Sequence, residues 1–150
     1  MAHMARLALS LLEEYGIQHV PVPLEPLLER NNILVTPWSF PRPWVGMSHR
    51  GKHRNFIAVH RGLGCEARRH VITHEAAHIL LHSGNQFYMA QHPLHHVWVD
   101  RQEWQADTFA AHFLIPEWEL QRVGGMRPDE LADHFLVPES LVVVRMRSEQ

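Results

Sequence analysis

Apolar residues recur at helical spacing through ARLALSLLEEYG, residues 5–16, and a glycine closes the run, so the pattern predicts a helix. PVPLEPLLERNN (21–32) predicts a loop followed by a short helix, with proline in its first turn and Asn31 and Asn32 at its end. ILVT (33–36) reads as a strand, whereas WSFPRPW (38–44) is cut by Pro41 and Pro43 and is expected to be irregular. VGMSH (45–49) and NFIAVH (55–60) flank RGKHR and predict a hairpin. From Glu66 to His82 the pattern is strongly helical, ended by Ser83 and Gly84. Residues 85–99 carry no clear period. A second strong helix is expected from Asp100 to Ile115, where Pro116 stops it. PDELADHF (128–135) and PESLVVVRMR (138–147) predict two short helices with proline at their first turns.

This order of elements predicts an α+β fold with a small antiparallel sheet and several helices. A chain of 150 residues suits one domain over 1–150, with the C-terminal helical pair, about 126–147, packed on it. Neither a repeat nor a linker interrupts it.

Composition changes the picture in three ways. A net charge of −2 argues against a polyanion held by bulk electrostatics. Cys65 is the single cysteine, which rules out an internal disulfide and suits a reducing compartment. No run approaches the ~18 apolar residues of a membrane span, and LALSLL, followed by Glu13 and Glu14, is too short for a secretion signal. A cytoplasmic protein is expected. The outlier is histidine, with 14 residues.

Four of them stand in RHVITHEAAHILLH (69–82), at positions 70, 74, 78 and 82. Residues i and i+4 share a helix face, ~6 Å apart along the axis, so any neighbouring pair can chelate one ion. The ladder also turns ~40° per step, and its ends lie ~18 Å apart, so one ion cannot use all four. Chemistry selects the pair. A hydrolytic zinc site needs a general base beside its water, and only His74-Glu75-x-x-His78 places a glutamate directly after the first ligand. In a chain with 14 His and 12 Glu such a pattern arises by chance roughly one time in ten, so it needs support.

Two features support it. Val71, Ile72, Ala76, Ala77, Ile79, Leu80 and Leu81 make the helix apolar on nearly every side, which predicts burial, and polar groups in a buried helix need partners. EWQAD (103–107) then offers Glu103 as a third ligand and, one turn later, Asp107 to hold a ligand imidazole by its other N–H. His95, His96 and Asp100 are rival third ligands. Asp100 with Glu103 also spells a helix capping box, which explains Glu103 without a metal but leaves Asp107 unexplained.

VITHEAAHILLH (71–82) and RQEWQADTFAAHFLIPEWEL (101–120) together resemble the ImmA/IrrE metallopeptidases. FIAVHRGLGCEARRHVITHE and VPVPLEPLLERNNILV extend the resemblance collinearly over nearly the whole chain, most weakly at 85–99 and in the tail. The resemblance implies a zincin-like domain of the gluzincin kind. His74 and His78 would be metal ligands, Glu75 the base and Glu103 the third ligand. Two histidines and a glutamate suit zinc first, with manganese or iron as alternatives because availability also decides occupancy, and the resemblance implies a protein substrate. Characterised members cut a helix-turn-helix repressor and so switch on genes of a mobile element or a stress response. Members with a C-terminal sensor domain are longer, so a compact, stand-alone member is expected here.

Other residues receive structural expectations. Cys65 reads as a small buried residue, and Trp104, Phe109 and Phe113 as core. Tyr88, His95, His96 and His112 are candidate oxyanion donors by sequence proximity. His82, at the helix end, suits the negative end of the dipole. Within a zincin architecture NFIAVH is the strand expected to receive an extended substrate by strand addition. Two other functions compete: a metal-stabilised binding module for a repressor or antitoxin, for which Glu75 has no use, and a DNA-binding tail. Asp129, Glu130, Asp133 and Glu139 argue against the second.

Overall fold

The computed structural model describes residues 2–82, 86–89 and 100–149. In chain order its elements are α1 (Ala2–Glu14), α2 (Glu25–Arg30), β1 (Ile33–Trp38), β2 (Trp44–Arg50), β3 (Asn55–His60), α3 (Cys65–Leu81), β4 (Gln86–Met89), α4 (Asp100–Leu114), α5 (Glu117–Val123), α6 (Pro128–Phe135) and α7 (Glu139–Arg147). The class is α+β, as the pattern predicts. No helix among the described residues is long and apolar enough to cross a membrane.

The sheet departs from the antiparallel expectation. Its strand order is β1-β3-β2-β4, and it is mixed. The hairpin β2–β3 is antiparallel, as expected, and β4 adds antiparallel to β2. β1, however, pairs with β3 in parallel, Ile33 opposite Asn55 and Trp38 opposite His60. Two asparagines set that register: Asn55 N–H and Nδ2 donate to the carbonyls of Asn32 and Asn31, both at 2.9 Å, and Asn32 Nδ2 donates to His53 O at 2.7 Å. Pro37, lacking an N–H, is tolerated because β1 stands at the edge of the sheet formed by the described residues. With β3 paired on both sides, its backbone groups are engaged, and the expectation that it receives a substrate strand is overturned.

Ile57 and Val59 of β3, with Gly46 and Ser48 of β2, face α3, which is buried continuously from Val71 to Ile79. On its other side α3 packs against α4, whose Ala106, Phe109, Ala110, Phe113 and Leu114 are core, and α1 covers α4 with Met4, Ala8 and Leu12. Leu131, Phe135, Leu141 and Val142 join the tail helices to the same core. Arg145 of α7 is also buried and donates from Nε to Ile115 O at 2.9 Å, just past the end of α4. Its other nitrogens pair with Glu117 at 2.5 Å and Glu149 at 2.7 Å. A buried, fully engaged arginine is not part of a phosphate-binding surface, which weighs further against DNA recognition by the tail.

Two side-chain expectations fail. Cys65 is exposed, because it opens α3 before the helix enters the core. Trp104 is 45% exposed: Glu103 and Asp107 hold the inner face of α4, and the residue beside Glu103 is turned ~100° away from it. Phe109 and Phe113 are core, stacked with centroids 5.6 Å apart. His95 and His96 lie outside the described residues, as does the side chain of Tyr88.

Candidate metal centre

α3 and α4 bring His74, His78 and Glu103 to one point. His74 Nε2 and His78 Nε2 are 3.2 Å apart, Glu103 Oε2 is 2.9 Å from the first, and Glu103 Oε1 is 2.7 Å from the second. A tetrahedral zinc with bonds of ~2.0–2.1 Å separates its donors by ~3.3 Å. Three buried donors, two nitrogens and a carboxylate, therefore stand close to the spacing that such an ion imposes. The donor set and its spacing fit zinc.

Asp107, one turn after Glu103, lies with Oδ1 2.7 Å from His74 Nδ1. An N–H there donates to the carboxylate and leaves the Nε2 lone pair for an ion. His70 Nε2 stands 3.1 Å from the same oxygen, so the first histidine of the ladder braces Asp107. At the other end His82 Nδ1 is 2.8 Å from His78 Nδ1, and His82 Nε2 is 2.8 Å from Gln105 Oε1. His82, expected at the helix end, is there a buried ring engaged on both nitrogens.

Glu75 is fully buried, and neither carboxylate oxygen has a hydrogen-bond partner among the described residues. Burial pushes its carboxyl up to about 7; the His74 charge and the Ser48 hydroxyl pull the other way, but that hydroxyl stands outside hydrogen-bonding geometry and is itself unpartnered. Burial alone would lower His74, yet Asp107, Glu103 and Glu75 around it raise the imidazole to about 10. Burial opposes ionisation of Glu103, but the two facing imidazoles hold its carboxyl down to about 2. Asp107 is held well below the ordinary carboxylate range by the His74 charge and by His70, against the effect of burial. The carboxylates of Asp107, Glu103 and Glu75 thus gather negative charge around His74, an environment that suits a cation.

β2 closes the site from the sheet side. A methyl group on Gly46 would sit 2.6 Å from Val71 Cγ1 and 3.5 Å from Glu75 Oε1. Only glycine lets the strand approach that closely. Gly46→Ala is expected to force β2 off the helix, costing about 1–3 kcal/mol of stability and displacing the Glu75 carboxylate. Urea unfolding and a turnover assay check this; unchanged turnover in the folded variant would show that the close approach is not required.

His112 does not belong to the centre. It points to the far side of α4, 2.9 Å from Ser148 Oγ, where burial and the nearby Arg145 lower it to about 4. The groups that sequence reasoning passed over are Gly46, Ser48 and Gln105. None carries distinctive metal or acid–base chemistry by residue type, so no motif marked them.

Residues 29–147 match the M78 peptidase family, described as the IrrE N-terminal-like domain. The chain belongs to that family. It is also 33% identical over 121 residues to "Uncharacterized immunity region protein 2" of Bacillus phage phi105, covering 79% of this chain and 75% of that protein. The resemblance read from the two helices is therefore borne out, and the M78 match spans β2, α3, α4 and the tail helices, so it takes in every residue of the centre.

Proposed function

We propose that this M78 family member is a zinc-dependent endopeptidase of zincin-like architecture, with His74, His78 and Glu103 as ligands, Glu75 as general base and Asp107 holding His74. One observation carries the reading: three ligand-type donors converge near tetrahedral spacing beside a buried carboxylate that has no hydrogen-bond partner among the described residues. A purely structural metal has no use for Glu75, and an unpartnered buried carboxylate is costly enough to need a reason.

A divalent ion held there supplies Lewis acidity, making water more acidic and polarising a carbonyl. Manganese is the alternative to zinc, since availability as well as donor type decides occupancy. Glu75, raised to about 7, is matched to taking a proton from water near neutral pH and returning it to the leaving amine. Asp107 fixes the His74 ring, and the apolar packing of α3 against β2, β3 and α4 excludes bulk water from the base.

The substrate we favour is a helix-turn-helix repressor, whose cleavage would relieve repression of a mobile element or stress genes. The family resemblance and the likeness to a phage immunity region protein support it. We read residues 1–150 as one cytoplasmic metallopeptidase domain with 126–147 packed on its core. The test is a gel of the repressor encoded beside this gene, incubated with the protein and zinc or manganese, with Glu75→Gln and a chelated sample alongside. Cleavage by wild type alone, with the cut located by mass, is expected. An intact repressor in a stable complex with the metal-loaded protein would instead favour a non-catalytic binding module.

A further inference from the structure

We infer that His82 and Gln105 form a positioning relay that sets the tautomer of His78 and so readies its Nε2 for the metal. The inference rests on the metal-centre reading above.

The geometry leaves little freedom. Both nitrogens of His82 are engaged, Nε2 with Gln105 Oε1 and Nδ1 with His78 Nδ1, each at 2.8 Å. A carbonyl-type oxygen accepts only, so it requires the proton of His82 on Nε2. Where His82 is neutral, its Nδ1 is then a lone pair that receives the Nδ1 proton of His78. That leaves the His78 Nε2 lone pair directed at Glu103 Oε1, 2.7 Å away. A proton shared between the two imidazoles and Glu103 holds these groups together, and an ion would take its place. The same chain run backwards, with the amide NH2 of Gln105 facing His82, would put a proton on His78 Nε2 and block coordination. The orientation of one amide on α4 therefore decides whether the second histidine of the motif is a ligand or a donor.

The outer histidines of the ladder thus act in mirrored ways. His70 braces the carboxylate that holds His74, and His82 holds His78 directly. Residues that orient a ligand histidine typically change metal affinity by ~10–100-fold when removed. Gln105 acts only through His82, so the two losses should not add.

The test measures zinc affinity by competition with a chromophoric chelator on full-length wild type, His82→Leu, Gln105→Leu, the double variant and Gln105→Glu, with melting of each metal-free protein as the folding control. Each single Leu variant is expected to bind zinc about 10–100-fold more weakly, the double variant no more weakly than His82→Leu alone, and Gln105→Glu, which keeps an acceptor, within about threefold of wild type. Affinity within about threefold of wild type in folded Gln105→Leu, or losses that multiply in the double variant, would overturn the relay while leaving the metal centre standing. Wild type that takes up no zinc would overturn both.

Discussion

Glu75→Gln should abolish peptide hydrolysis while making the metal-free protein more stable. Loss of a positioned general base costs ~10²–10⁴ in rate, and glutamine cannot accept the proton. The stability gain follows from the raised carboxyl. Below about pH 4.5 Glu75 is protonated in both the folded and unfolded chain and contributes no difference. Between there and about pH 7 the folded state keeps a proton that the unfolded state has released, so stability falls as pH rises. Above about pH 7 the penalty is complete, at about 3 kcal/mol. Glutamine resembles the neutral carboxyl at every pH. Wild type and variant should therefore unfold alike at pH 4 and diverge by about 3 kcal/mol at pH 8, measured in urea with chelator present. Equal stability at both pH values would mean that Glu75 is not held in a site hostile to its charge.

His74→Ala should be the most damaging single change. It removes one of three donors and also the group that keeps Asp107 and Glu103 ionised inside the protein. Breaking a buried pair in this way costs about 3–5 kcal/mol, because the remaining charges are left uncompensated. The expected result is loss of bound zinc by elemental analysis together with a large drop in the urea midpoint. A variant that still holds one equivalent of zinc at wild-type affinity would remove His74 from the ligand set.

The contrast between these residues and their supports shows what a sequence can display. That His74, Glu75, His78, Glu103 and Asp107 come together was legible because their spacing fixes them on two helix faces, and helical spacing is a local property. α3, α4, the hairpin and both tail helices were legible for the same reason. The parallel pairing of β1 with β3 was not, since partner choice depends on side chains such as Asn32 and Asn55, 23 positions apart. α5 escaped notice because seven residues between Pro116 and Gly124 carry too little period. Gln105 was silent because its role exists only once His82 has been folded against it.

The buried Arg145 links the tail to the chemistry by an indirect route. Its guanidinium ties the carbonyl that follows α4, the helix carrying Glu103, to the start of α5 and to the last turn of α7. The far end of α4 is thus clamped by a residue 30 positions further along the chain. Loss of that clamp would free the end of α4, so the tail bears on how Glu103 faces His74 and His78 across the helix pair.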